Sequence, residues 1–255
     1  MSKIVIIGAG AMGTAFSLPC LDNNHDINLV GTHLEDNFIE TFKKNKNLHP
    51  GLNTEIPNQV KVFKFEKFDE LLSSNTDLIV LGISSKGIEW AADQLSRFYK
   101  GKQIPNLLML TKGLSIYKNN YELLVDKLAR LLTNNGVENL NISAVGGPCL
   151  ATGLANRVHS SVIIANKDIK TAKKIADMLN TSYYHTSYSD DLNGVEVSAA
   201  IKNIFSMAVG AAKSLCSNNI SNDVREKNYL NTSSALFKQS IYEMEIFVEH
   251  LNGKK

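Results

Sequence analysis

Apolar positions in this chain fall into short runs separated by amphipathic stretches. Ile4, Val5, Ile6 and Ile7 form the first run, β-branched and unbroken, and it reads as a strand buried on both faces. Similar runs recur at 27–31, 60–63, 77–81, 107–110, 142–145 and 162–165. Between them, helical spacing predicts helices over 11–23, 35–45, a stretch ending at 98, 121–132 and 169–179, while 49–57 reads as an irregular excursion. Strands alternating with helices in this way predict an α/β fold with a doubly wound parallel sheet.

The pattern changes near residue 190. Segment 195–215 reads as one helix, apolar almost all round through Val195, Val197, Ile201, Ile204, Phe205 and Val209, as expected of a helix buried in a domain core. A polar segment, 216–229, leads to a second helix over 233–251, with Gly253 as its C-cap. The chain therefore divides into an α/β domain, 1–190, and an all-helical one, 191–255. Two helices are too few to enclose 195–215, and the shortfall predicts a homodimer through the helical halves, the alternative being a separately encoded C-terminal piece that docks there.

Composition narrows the possibilities. The chain has 255 residues, and its 27 Lys and Arg are scattered among 25 Asp and Glu, for a net charge of +2. No basic face marks a nucleic-acid partner. Cys20, Cys149 and Cys216 lie far apart, which points to a reducing, cytoplasmic setting and no metal site. The N-terminal apolar run is too short for a signal peptide, and no stretch is expected to span a membrane.

The candidate chemistry starts after the first strand, where Gly8, Gly10 and Gly13 keep the G-x-G-x-x-G spacing. Gly8 permits a tight turn, Gly10 leaves no Cβ between backbone and a pyrophosphate, and Gly13 lets helix and strand pack closely. The N–H groups of Gly10, Ala11 and Met12 open the next helix, whose dipole favours a diphosphate. At the end of the second strand, Thr32 and His33 are placed to donate to a phosphate and Glu35 to accept from a ribose. With no acid at the strand's last position and no Arg there, the choice between NAD and NADP stays open. Ser84 follows the 77–81 strand at the same edge.

Lys202 stands amid core-type residues with no carboxylate three or four positions away. An ammonium so placed needs a lowered pKa, a partner from elsewhere, or a path to water, and the first two make it an acid–base candidate. Lys112 leaves a parallel strand at its carboxyl end, where open α/β sheets bind ligands. Pro148, after Gly146 and Gly147, is expected to open a short helix facing the same crevice.

These motifs together resemble the soluble NAD(P)-dependent glycerol-3-phosphate dehydrogenases. The matching stretches are Gly8 to Ala15, His49-Pro50 through Pro57, Thr111-Lys112-Gly113-Leu114, Gly147-Pro148-Cys149-Leu150-Ala151, Gly194-Val195-Glu196 through Lys202-Asn203, and Glu243-Met244. The resemblance implies a Rossmann-type sheet and a helical domain similar to that of 6-phosphogluconate dehydrogenases. It also implies hydride transfer between NAD(P)(H) and sn-glycerol 3-phosphate or dihydroxyacetone phosphate, supplying phospholipid synthesis. By the same resemblance Lys202 moves the C2 hydroxyl proton and Lys112 polarises the substrate oxygen. Lys112, Gly147, Pro148 and Asn203 contact the phosphorylated triose, and Lys112 and Ala151 join the cofactor contacts. Family members continue past the last residue here with a Gly-Asp-Leu element and an Arg-Asn pair that grips the substrate phosphate. Arg97, Arg130, Arg157 and Arg225, the four arginines, do not stand in that context. The alternatives are another β-hydroxyacid-type dehydrogenase, or a dinucleotide-binding protein with reduced catalysis.

Overall fold

A computed structural model describes residues 1–73, 75–218 and 230–254. The elements are, in order, β1 (Lys3–Ile7), α1 (Ala11–Asp22), β2 (Asp26–Val30), α2 (Asp36–Lys44), the small hairpin β3 (Leu48–His49) and β4 (Thr54–Glu55), β5 (Lys61–Phe63), α3 (Phe68–Ser73), β6 (Leu78–Leu81), α4 (Ile88–Tyr99) and β7 (Asn106–Met109). A second hairpin, β8 (Leu114–Tyr117) and β9 (Asn120–Leu123), leads into α5 (Leu124–Asn134), β10 (Ile142–Gly146), α6 (Ala151–Ala155), β11 (Ser160–Ala165), α7 (Ile169–Leu179), β12 (Tyr184–Ser189), α8 (Leu192–Asn218) and α9 (Asn231–His250).

Eight strands form one sheet in the order β12-β11-β10-β7-β6-β1-β2-β5. From β5 to β10 every pairing is parallel. From β1 the chain winds outward through β2 and β5, then returns to build β6, β7 and β10 on the other side. The resulting switch point between β1 and β6 opens a crevice at the strands' carboxyl ends. Alternate strand residues feed two cores. Ile4, Ile6, Ile27 and Leu29 pack with Phe16 of α1 and Ile175 of α7, while Val5, Ile7, Ile79 and Leu81 pack with Leu95 of α4 and Leu128 of α5.

Several expectations need correction. The sheet is not parallel throughout, because β11 pairs antiparallel with β10 and β12 runs parallel to β11. The five-residue α6 is too short to carry the chain back along the sheet, so it re-enters from the same end. Tyr121 lies in β9, held opposite Ile116, and the helix begins only at Leu124. Pro148 opens no helix, since α6 starts at Ala151.

The long helix is half covered rather than buried. Leu192, Val197 and Ile201 are enclosed, whereas Ile204 and Met207 are 63% and 73% exposed. Its stretch Leu192–Ser214, with mean hydropathy 1.2, is also long and apolar enough to cross a membrane, contrary to expectation. Ala, Val and Ile supply that hydropathy, and the first turns use it to pack on the sheet. The predicted polar segment falls partly in α8, which reaches Asn218, and its residues 219–229 lie outside the described ones. Finally, Asn252, not Gly253, takes the left-handed position that ends α9 (φ 58°). The Asn252 N–H reaches Glu249 O at 3.1 Å and the Gly253 N–H reaches Val248 O at 2.8 Å, a Schellman arrangement. Gly253 is needed for a different reason, since a Cβ there would stand 2.8 Å from the Gly194 nitrogen of α8.

Candidate active site

The glycine loop crosses the switch point, and its three glycines divide by role. Gly8 has φ +107°, and a Cβ on it would meet Gly82 O at 2.7 Å. A Cβ on Gly13 would fall 2.1 Å from Gly8 O. Gly82 completes this packing, since its own Cβ would lie 2.8 Å from Gly13 Cα; it sits after β6, and no spacing rule singles it out. Gly10 differs. A Cβ there would meet only Glu35 Oε1, at 3.8 Å, and its backbone (φ −65°, ψ 175°) suits any residue. Nothing in the fold demands glycine at this position, so the open space is explained by what must approach it. No side chain caps the start of α1. The first N–H groups of such a helix need an external acceptor, which a diphosphate supplies.

Glu35, at the start of α2, folds back over this loop. Its Oε2 accepts from the Ala9 N–H at 3.1 Å and the Thr32 N–H at 2.7 Å. Its carboxylate thus reaches from the α2 N-cap the place that an acid at the end of β2 would occupy. Beside it, His33 lies 5.3 Å from the Trp90 ring, and Phe65 lies 5.7 Å from Trp90, forming an aromatic wall suited to a purine. Trp90 and Phe65 carry no motif, and only the fold brings them to His33. Ser84 is exposed after β6, and the Thr111 hydroxyl donates to Ile83 O at 2.7 Å, which ties the Lys112 turn to that loop. Ala11, Met12, Cys149 and Ala151 pack against the same core cluster, so α6 and α1 meet below the loop.

The two lysines converge from distant parts of the chain, Lys112 from the turn after β7 and Lys202 from α8. Gly146 lets α8 cross β10 closely, since a Cβ there would stand 2.5 Å from a Val195 methyl carbon. Gly147 takes φ +134°, where a Cβ would meet Ser161 O at 2.7 Å. This crossing brings Lys202 Nζ to 3.2 Å from the Gly147 carbonyl oxygen, the partner from elsewhere that the sequence required. Lys112 is half-buried, and its pKa is lowered first by that burial and then by the Lys202 ammonium. Burial also pushes the neighbouring Cys149 thiol up. Two nearby ammonium groups form a ready seat for an anionic substrate. Pro148 and Lys202 line a cavity of about 580 Å³ with Ser198, Met244 and Val248. Asn203 is exposed on α8, one residue further along.

Sequence reasoning also missed Glu196. It is buried on α8, and its Oε2 accepts a single long hydrogen bond (3.4 Å) from the Val125 N–H. Burial pushes its carboxyl up to about 8. Because the folded value lies above the unfolded one, the folded state holds the proton between the two, and stability falls as pH rises from about 4.5 to about 8. The Glu196→Gln variant is expected to melt with the wild type near pH 4.5 and several degrees above it at pH 8.5. Calorimetry at the two pH values checks this, and equal melting temperatures at both would remove the buried-carboxylate account.

Comparison with known proteins identifies the family. Residues 3–172 match the sequence profile described as NAD-dependent glycerol-3-phosphate dehydrogenase N-terminus. The chain is 25% identical to the NADP(+)-dependent glycerol-3-phosphate dehydrogenase of Archaeoglobus fulgidus, over 99% of this chain and 71% of that one. It is also 25% identical to glycerol-3-phosphate dehydrogenase [NAD(P)+] of Mesoplasma florum, over 100% and 71% of the two chains. Among solved structures, the glycerol-3-phosphate dehydrogenase of Coxiella burnetii superposes with a TM-score of 0.79 at 21% identity, covering 99% of this chain and 70% of that one, and so shares the fold. With its Rossmann-type sheet, its glycine loop and a profile match over most of its length, the chain belongs to the NAD-dependent glycerol-3-phosphate dehydrogenase family.

Proposed function

We propose that this protein binds NAD or NADP across the glycine loop and interconverts sn-glycerol 3-phosphate and dihydroxyacetone phosphate, supplying glycerol 3-phosphate for phospholipid synthesis. The observation that carries the reading is the approach of Lys202 to Gly147 beside half-buried Lys112, at the edge where Gly10 stands open. The N–H groups of Gly10, Ala11, Met12 and Gly13 hold the diphosphate, with Ser84, Lys112 and Ala151 along the same edge. Thr32, His33 and Glu35 face the adenosine half.

A bound nicotinamide would supply the hydride chemistry at C2 of the substrate. What the chain itself does is proton and charge handling. In reduction the Lys202 ammonium gives its proton to the C2 oxygen, and in oxidation the neutral amine left by that step takes the hydroxyl proton back. Lys112 holds negative charge on the substrate oxygen, where its low solvation strengthens the interaction. Gly147 and Pro148 shape the wall, and Asn203 contacts the substrate's polar end. The test is NAD(P)H oxidation by dihydroxyacetone phosphate against small β-ketoacids. Turnover of the phosphorylated triose supports the reading, and turnover confined to the ketoacids would overturn it in favour of a β-hydroxyacid dehydrogenase.

The same reading places the protein in the cytoplasm, where the free thiols Cys20 and Cys149 stay reduced. It also includes a homodimer. Asn193 Nδ2 donates to Leu251 O, which sets α8 and α9 antiparallel. Ile204 and Met207 of α8 then stand at the level of Phe237 and Ile241 of α9, and all four are exposed. A second copy placed about a twofold axis covers this apolar face. Light scattering is expected to give twice the chain mass, and Phe237→Glu to give a monomer. A stable wild-type monomer would end the dimer proposal.

A further inference from the structure

His49 is the buried residue of this region whose contacts the proposed reaction leaves unused. It ends β3, is 3% exposed, and packs edge-on beside the stacked Phe38 and Phe42 rings of α2, with centroids 5.0 and 5.9 Å away. Its Nδ1 lies 3.1 Å from the Gly51 nitrogen and 3.2 Å from the Leu52 nitrogen. Both are N–H donors, so Nδ1 must present a lone pair. The ring proton is thereby placed on Nε2, which faces the Ala9 carbonyl oxygen at 3.3 Å and donates to it. The Thr14 hydroxyl donates to that same oxygen at 3.0 Å, and Glu35 holds the Ala9 N–H on the other side.

Ala9 belongs to the glycine loop. In a trans peptide the carbonyl and the following N–H point in opposite directions. Gripping Ala9 O therefore aims the Gly10 N–H away from His49, towards the open side where Gly10 lacks a Cβ. We propose that His49 is a positioning residue, which in its neutral Nε2–H form sets the Ala9–Gly10 peptide for the cofactor's diphosphate, and that protonating it weakens cofactor binding. This rests on the dinucleotide reading of the loop.

A proton on Nδ1 would face two backbone N–H groups and break both contacts. Burial holds the imidazole below its ordinary value, against the opposing pull of the Ala9 carbonyl and the Glu35 carboxylate. Glu35 is the charged group facing His49 among the described residues; Phe38 and Phe42 on α2, the 49–52 turn and the glycine loop add none. Because the folded value is depressed, the two Nδ1 contacts that fix the ring against Ala9 are intact above it and are lost as pH falls through it, below about 6.5.

The experiment measures cofactor dissociation constants by titration calorimetry between pH 5 and 7.5 for the wild type, His49→Gln and His49→Phe, with apo melting temperatures in parallel. Gln keeps an acceptor and a donor but cannot titrate, while Phe fills the space without either. Wild-type affinity is expected to fall several-fold towards pH 5. His49→Gln should bind within about threefold of wild type at pH 7.5, with the acid-side fall abolished, and His49→Phe about five- to tenfold more weakly at every pH, the effect of one net hydrogen bond. A His49→Gln profile that still falls like the wild type, or a His49→Phe variant that melts lower yet binds normally, would overturn the proposal. Gly10→Val separates the two ideas. If it abolishes binding while His49 variants bind as wild type, only the His49 proposal fails; if the parent binds no dinucleotide, both fail.

Discussion

Replacing Lys202 with alanine is expected to lower kcat by about two to four powers of ten while leaving cofactor affinity nearly unchanged. That range is what loss of a positioned acid–base group costs. The split between turnover and affinity follows from the structure. Lys202 reaches the crevice from α8 through its contact with the Gly147 carbonyl, whereas the diphosphate site belongs to the loop after β1. Truncation at Cβ leaves that loop and its core untouched, and Lys202 is only partly buried, so the fold should hold. Lys112 provides an internal check. With the Lys202 ammonium gone, one of the two influences lowering its pKa is removed, and Lys112 should become more basic. Steady-state kinetics with a separately measured cofactor dissociation constant decide the matter. A Lys202→Ala enzyme turning over near the wild-type rate would return Lys202 to the role of a lysine whose head simply reaches water.

Gly10→Val should weaken cofactor binding by about a hundredfold or more and barely alter thermal stability. A branched side chain there fills the space the diphosphate needs and removes charge-assisted contacts to the Gly10 and Ala11 N–H groups, each worth roughly 1.5–3 kcal/mol. Stability is spared because a Cβ at Gly10 meets only the end of a glutamate side chain at 3.8 Å, on a backbone any residue adopts. Gly13→Ala is the contrasting variant. Its Cβ would fall 2.1 Å from Gly8 O, so strand and helix must part, and both stability and binding should fall together. Calorimetric affinity with melting temperature separates the two. Unchanged affinity in Gly10→Val would remove the dinucleotide from this loop.

Elements that depend on local patterning were readable along the chain. Buried parallel strands must be apolar along their length, so Ile4 to Ile7 and the runs after it announced the sheet, and the glycine spacing announced the phosphate loop. Lys202 was legible because an ammonium among apolar neighbours demands a partner, although the partner itself was not.

Features that rest on contacts between segments distant in sequence emerged with the fold. Periodicity carries no strand direction, so β11 running antiparallel to β10 followed from the shortness of α6. Nor does hydropathy tell which neighbour an apolar face meets, and α8 proved enclosed at one end and open at the other. Gly82 and Trp90 obey no motif spacing, and Glu196 lies in a matching stretch that assigns it no role. Each matters through a partner far away in the chain: Gly13, His33 and Val125 respectively. The tautomer of His49 is the sharpest instance. Two backbone N–H groups set it and a carbonyl 40 residues away accepts from its ring N–H, an arrangement that only the folded chain brings together.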